Sequence, residues 1–140
     1  MSKGKHYERA KNSLDTIFER VEEINIRLRE LTGEIKKSQP NHVAGAVTLH
    51  LYDCGKGCLG CPHPKWLSWF LREKPGTETK ETIFLSNAVK NPLRRLKRTG
   101  FFSETYPVTR LLVEEALALV DERTRLIEAV SRLNRKVPVK

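Results

Sequence analysis

The clearest pattern in the chain lies in residues 14–35, LDTIFERVEEINIRLRELTGEI. Its apolar residues recur at alternating spacings of three and four, a heptad register typical of a helix that packs along a narrow seam. Gly33 interrupts the pattern at a cost of about 1 kcal/mol, and the chain leaves the helical region before Pro40. We predict a helix over residues 5–37, with the seam Tyr7, Ala10, Leu14, Ile17, Val21, Ile24, Leu28, Leu31 and Ile35.

A second helix is predicted over residues 107–135. Pro107 suits its first turn, because the missing N–H group would have no partner there. Two long helices with apolar seams favour pairing, either with each other in an antiparallel coiled-coil-like stem or with a second copy of the chain, and we expect a homodimer. The seam of this helix reads Leu112, Ala116, Leu119, Arg123, Leu126, Val130, Leu133 and Val137, with Arg123 as its one charged member.

Between the predicted helices the apolar period changes to two, which is typical of β-strands. The alternating runs are residues 47–52, 66–72 and 82–85. Lys74-Pro75-Gly76 favours a tight turn between the second and third runs. The sequence therefore predicts a three-stranded antiparallel meander, and it leaves open whether Trp66 or Trp69 faces the core.

These elements predict an α+β fold with a single domain over residues 1–140. Two long helices, 5–37 and 107–135, flank a head at 41–100 that holds the meander, a Cys-rich zinc knuckle and a short basic helix. No apolar run approaches the roughly 18 residues that a membrane span needs, and no signal-like stretch follows the first residues. We therefore expect a cytoplasmic protein without a membrane partner.

The cysteine loop, residues 53–63, connects the first two predicted strands and contains all three cysteines of the chain. Without an export signal, this cysteine usage favours metal chemistry over disulfides. Zinc takes four Cys and His ligands in a tetrahedron. His50, on the preceding strand, is an alternative fourth ligand, and reduced structural cysteines in a glycine-rich turn are the alternative to a metal. The predicted zinc ligands are Cys54, Cys58, Cys61 and His63.

Enzymatic use of these cysteines is not expected. The C-x₃-C-x₂-C spacing resembles that of radical-SAM enzymes, and Cys58 and Cys61 have the C-x-x-C spacing of a redox motif. Both chemistries need alternating strands and helices, which the sequence does not predict. No carboxylate pair, nucleophile with a base, or phosphate-binding loop stands out either. We expect that the protein is not an enzyme.

The basic segment, residues 90–98, contains five cations and no acid in a chain of net charge +9. Such a cluster neutralises phosphates and releases their counterions, which favours nucleic acid as the partner. We predict a helix over 92–98, with Asn91 as its cap and Gly100 after its end. The predicted nucleic-acid contacts are Lys90, Arg94, Arg95, Lys97 and Arg98, with Arg72, Lys65 and Lys80 as secondary candidates.

Pro62, His63, Pro64 and Trp66 follow the cysteines in an order that resembles small cysteine-knuckle proteins of plasmids, phages and integrative elements. In that group a Pro-His-Gly-Pro-aromatic motif stands at this place, and the glycine after the histidine is missing here. The resemblance covers residues 50–86. It implies an accessory role in a mobile element, such as assisting conjugative transfer or regulating its genes.

The sequence as a whole predicts a zinc-stabilised, dimeric protein that binds double-stranded DNA as an accessory or regulatory factor. Other components of a DNA-transfer or regulatory complex are expected as further partners. Two alternatives stay open. One is a coiled-coil adaptor that recruits a partner protein through its stem, and the other is an RNA- or ribosome-associated protein.

Overall fold

The computed structural model describes residues 2–40, 43–73, 76 and 82–136. The described chain has an α+β fold with three helices and one antiparallel sheet, as the sequence predicts. Most of the predicted turn at 74–76 and the seam position Val137 lie outside the described residues. The elements are α1 (Ser2–Lys37), β1 (Val47–Tyr52), β2 (His63–Glu73), β3 (Thr82–Val89), α2 (Pro92–Arg95) and α3 (Tyr106–Lys136), with a 3₁₀ turn at Gly100–Phe102 before α3.

The helices α1 and α3 run antiparallel and contact each other within one chain. Arg20 of α1 forms an ion pair with Glu122 at 2.6 Å, and Arg27 forms one with Glu115 at 2.5 Å. The core between the helices and the sheet contains four α1 side chains without solvent exposure, Ile24, Leu28, Leu31 and Ile35. All four are predicted seam residues. The seam is thus covered within the chain from Ile24 to Ile35, whereas Leu14, Ile17 and Val21 are half-buried and the side chains of Tyr7 and Ala10 lie outside the described residues.

The buried seam of α3 starts on a different face from the predicted one. Thr109 and Val113 are buried, whereas Leu112 is half-buried. The Oγ atom of Ser38, after the end of α1, lies 2.7 Å from Oγ1 of Thr109, and this contact turns the first helical turn towards α1. Farther along, Ala116, Arg123 and Val130 are buried at predicted seam positions.

The sheet has the order β1-β2-β3, and both pairs are antiparallel. Trp66 pairs with Leu49 on one side and Val89 on the other, and it is buried in the core. Trp69 therefore lies on the outer face, because neighbouring side chains alternate across a strand. Its indole N–H donates to Thr48 Oγ1 at 2.7 Å. The structure thus resolves the face that the sequence left open.

The predicted helix over 92–98 is wrong in extent, since α2 ends at Arg95. Leu96 has an extended backbone, with φ −62° and ψ 124°, and its side chain is buried in the core. Burial of Leu96 therefore ends the helix before Lys97. Asn91 makes no side-chain capping hydrogen bond. Gly100, with φ +66°, begins the 3₁₀ turn instead of ending a helix.

No helix in the described ranges combines the length and the apolar character that crossing a bilayer requires.

Candidate functional site

The cysteine loop gathers one cluster of potential metal ligands. The ligand atoms of Cys54, Cys58, Cys61 and His63 all lie within 4.8 Å of one another. The three Sγ–Sγ distances are 3.2–3.4 Å, and Cys58 Sγ lies 3.1 Å from His63 Nε2. These separations exceed the roughly 2 Å of a disulfide and approach the roughly 3.8 Å between sulfurs of a tetrahedral zinc site with 2.3 Å bonds. All three cysteines are free thiols.

The backbone of the loop explains how four ligands meet within ten residues. Gly55 and Gly57 have φ values of +75° and +63°, which residues with a Cβ atom rarely adopt. These two positions turn the chain back on itself between the first two cysteines. A Cβ atom at Gly60 would lie 3.2 Å from Cε1 of His63, so this glycine gives the imidazole room beside the thiols.

His63, not His50, is the histidine in the cluster. His63 is the first residue of β2, and its ring lies 5.5 Å from the ring of Tyr52 at the end of β1. His50 is exposed on the outer face and stacks on Tyr52 at 6.3 Å. Among the residues that the structure describes, His50 belongs to no ligand cluster, so the alternative fourth ligand is wrong.

The ionisation of Cys54 and that of Cys61 are shifted in opposite directions by their neighbours. The Lys56 backbone N–H, followed by Cys61, Cys58 and His63, lowers the pKa of Cys54 to about 6. The Cys54 backbone N–H by itself lowers the pKa of Cys61, but the Cys54 side chain, burial and Cys58 together outweigh it and raise that pKa to about 12. One thiolate therefore opposes ionisation of its neighbour. A divalent cation between the thiolates would offset the electrostatic repulsion between them.

Arg123 of α3 joins the cysteine loop to the helix pair. Its side chain is almost fully buried, with 3% exposure, and its Nη1 donates to Asn25 Oδ1 and to the Pro62 carbonyl, both at 2.8 Å. Burial lowers the pKa of Arg123 below its ordinary value, and the charges of Cys61 and Cys58 offset only part of this decrease. No ion pair in the described ranges links it to a carboxylate. The thiols are thus the groups that can supply its counter-charge.

Arg123 is the site residue that sequence reasoning missed. Its signal was a charged residue at a seam position, but its two hydrogen-bond partners, Asn25 and Pro62, lie 98 and 61 residues away in the chain. A polar break in a heptad predicts a buried partner without saying which one. Only the folded arrangement of α1, α3 and the cysteine loop identifies it.

The basic segment connects β3 to α3 and is exposed at each of its predicted contact residues, Lys90, Arg94, Arg95, Lys97 and Arg98. Within the described residues, none of these five forms an ion pair. Two are positioned by other contacts. The Arg98 guanidinium lies 5.3 Å from the centre of the Tyr106 ring, and the Lys97 side chain packs where a Cβ atom of Gly45 would stand.

The secondary candidates are separated from one another. Because Trp66 pairs with Val89, the neighbouring Lys65 and Lys90 lie at the same end of the sheet. Arg72 pairs with Ile83 near the other end, about 23 Å from Lys65 at 3.3 Å per residue. Lys80 lies outside the described residues. Of the secondary candidates, Lys65 alone is brought towards the basic segment in the part of the chain that is described.

No protein-family model, curated protein or solved structure matches this chain.

Proposed function

We propose that this protein holds one structural zinc ion in its cysteine loop and binds double-stranded DNA through its basic segment. The first part is supported by four ligand atoms of the types that zinc prefers, all within 4.8 Å of one another. The second part is supported by five exposed cations without a carboxylate partner among the described residues.

The donor set favours a structural ion over a catalytic one. Three thiolates and one imidazole fill the tetrahedral shell of zinc and leave no position for water or substrate. The ion would fasten the end of β1 to the start of β2, on each side of the loop. A three-stranded sheet of this size gains much from such a cross-link, because small meanders are marginally stable alone.

Charge balance is compatible with the zinc ion. One Zn²⁺, three thiolates and a neutral imidazole sum to a net charge of −1. The buried Arg123 guanidinium carries +1 and reaches the loop through the Pro62 carbonyl. Removing one member of a buried charge pair is costly, because the other charge stays unpaired in a poorly solvated place. With all three thiols neutral, Arg123 would be such a charge. Without zinc, the Cys54 thiolate, which a pKa of about 6 favours at neutral pH, is the anion that could balance it.

The basic segment fits a polyanion better than it fits an internal role. Cations that already pair with carboxylates contribute to protein stability, as Arg20 and Arg27 do on α1. The cations of residues 90–98 have no such partners in the described chain, so they are free to pair with phosphates. Arginine adds bidentate contacts to guanine edges, which would give sequence preference.

Binding to a fluorescent 30-base-pair duplex, followed by anisotropy as the salt concentration rises, tests the DNA proposal. Five phosphate contacts give a slope of log affinity against log salt of about −4.5. The absence of duplex binding at 50 mM salt would overturn it. Single-stranded RNA that displaces the duplex at equal concentration would support the RNA- or ribosome-associated alternative instead.

The remaining expectations stay predictions. A homodimer, a coiled-coil character of the paired helices and a role in plasmid, phage or integrative-element transfer or regulation are proposed from the sequence. An adaptor that recruits a protein through α1 and α3 would bind that partner without a steep loss between 50 and 200 mM salt, since apolar contacts are weakly screened.

A further inference from the structure

Gly33 stands in the interior of α1 with no internal packing reason for a glycine. A glycine in a helix costs about 1 kcal/mol relative to alanine. A Cβ atom built at Gly33 would meet no atom of the described chain within 4 Å. The glycine therefore relieves no contact inside the protein. Its effect is to keep space open on one side of α1.

That space is a groove of about 950 Å³ between α1 and β1. One wall is formed by residues of α1 that lie on one face of the helix because they are three or four positions apart. These residues are Arg29, Thr32, Gly33 and Lys36. The other wall includes the four consecutive residues 48–51 of β1. Trp69 lines the groove from the outer face of the sheet. The groove thus follows the strand β1 along most of its length.

β1 is an edge strand, and Gln39 already pairs with the start of its open side. Gln39 Oε1 accepts from the Val47 N–H at 2.9 Å, and Gln39 Nε2 donates to the Val47 carbonyl at 2.6 Å. An amide side chain here occupies the place of a neighbouring peptide group. Because backbone groups alternate along a strand, those of Leu49 and Leu51 point to the same side as Val47. No described backbone segment other than β2 pairs with β1.

Charge indicates what could occupy the groove. Arg29 and Lys36 are exposed one turn before and one turn after Gly33, and neither forms an ion pair within the described ranges. Asp53 is the one carboxylate among the lining residues, at the end next to the cysteine loop. A ligand with acidic side chains complements the helical wall.

We propose that the groove binds an extended, acidic peptide segment of a partner protein, which adds a strand to β1. Its backbone pairs with the Leu49 and Leu51 peptide groups beyond Gln39, in the manner of strand addition to a free sheet edge. Alternate side chains of the peptide point towards α1. There Gly33 leaves space, and Arg29 and Lys36 form ion pairs with the carboxylates of the peptide. The site is separate from the basic segment and shares only Asp53 and Pro62 with the cysteine loop, so it does not depend on DNA binding.

Selection from a phage-displayed library of random dodecapeptides, with the full zinc-loaded chain as bait, tests this proposal. We expect enriched peptides in which acidic residues alternate with β-branched ones. A synthetic peptide of the most enriched sequence should slow amide hydrogen exchange of Leu49 and Leu51 at least tenfold at saturation. Enrichment of no peptide, or binding that leaves exchange at both amides unchanged, would overturn the proposal.

Variants separate the groove from the rest of α1. Gly33→Leu fills the open space with a better helix former and should weaken peptide binding at least tenfold, whereas Glu19→Leu, at an exposed α1 position outside the groove, should not. The pair Arg29→Glu with Lys36→Glu should weaken binding at least tenfold without filling the groove. Equal affinity of all these variants would contradict strand addition. Displacement of the peptide by a single-stranded oligonucleotide or by a second copy of the chain would replace the proposed partner.

Discussion

The cysteine loop and the basic segment differ in how their polar groups are partnered. In the loop, the thiols and the imidazole contact one another. The buried Arg123 guanidinium donates to the Pro62 carbonyl of the same loop. In the basic segment, the cations are exposed and have no carboxylate partners in the described chain. The first arrangement is complete once an ion is added. The second leaves its cations available to another molecule.

This difference means that the proposed zinc site and the proposed DNA-binding surface can be tested separately. Lys97, towards the end of the basic segment, packs beside Gly45 before the start of β1. The cysteine loop follows the end of the same strand. An ion in the loop would therefore stabilise the loop and its junction with α1 and α3, and it would not hold most of the cations of the basic segment in place. Each region can be altered with the other as control.

Loss of a zinc ligand should have the largest effect. Cys58→Ser removes one of four ligands, so we expect zinc content to fall from one ion per chain to below about 0.1 after dialysis, since structural zinc needs a complete shell. The free energy of unfolding should fall by more than the roughly 1 kcal/mol typical of a point substitution. Leu59→Ser, an exposed neighbour that is no ligand, is the matched control and should keep the zinc. Equal zinc content in both variants would contradict the site.

Removal of three arginines should have the next largest effect, on DNA alone. With Arg94, Arg95 and Arg98 changed to Ala together, the slope of log affinity against log salt should become less negative by about 2.7, because three phosphate contacts are lost. The triple change of Arg9, Lys11 and Arg132 to Ala alters net charge equally at exposed helix positions. If both triple variants weaken duplex binding by the same factor, the effect is one of net charge, and the basic segment has no special role.

Arg123→Met tests the charge balance between helix and loop. In the chelator-treated protein at pH 7.5, Cys54, whose pKa is lowered to about 6, is a thiolate that balances the Arg123 charge, whereas at pH 5 it is protonated and leaves Arg123 without an anion. We expect the loss of stability on substitution to be larger at pH 7.5 than at pH 5 by about 1–3 kcal/mol, measured by urea unfolding in chelator at both pH values. Equal losses at both pH values would mean that Arg123 serves only its hydrogen bonds to Asn25 and Pro62.

The smallest effect belongs to the ion pairs between the helices. Arg27 lowers the pKa of Glu115, so the stabilisation from this pair is present above the unfolded value of about 4.3 and is lost as pH falls through the lower folded pKa. Glu115→Gln should cost about 0.2–1 kcal/mol at pH 7, because the pair is partly exposed. The difference from the parent should shrink in thermal melts towards pH 3. A constant difference across that range would show that the charge does not matter.

Local pattern predicted much of this structure, and tertiary contacts decided the rest. The heptad register located α1 and its buried residues because periodicity is a property of the segment itself. The end of α2 could not be predicted, since it depends on burial of Leu96 against distant elements. The three thiols of the ligand cluster follow from cysteine spacing. The choice of His63 over His50 depends on the way the loop folds back, and the role of Arg123 depends on contacts across the chain.

Native mass spectrometry of the purified full chain tests the central claim most directly, because it reports bound metal and subunit number together. We predict one zinc ion per chain that survives a chelator wash at neutral pH and leaves on acidification, when the thiolates become protonated. A folded chain whose mass equals that of the polypeptide alone under metal-replete conditions would contradict it.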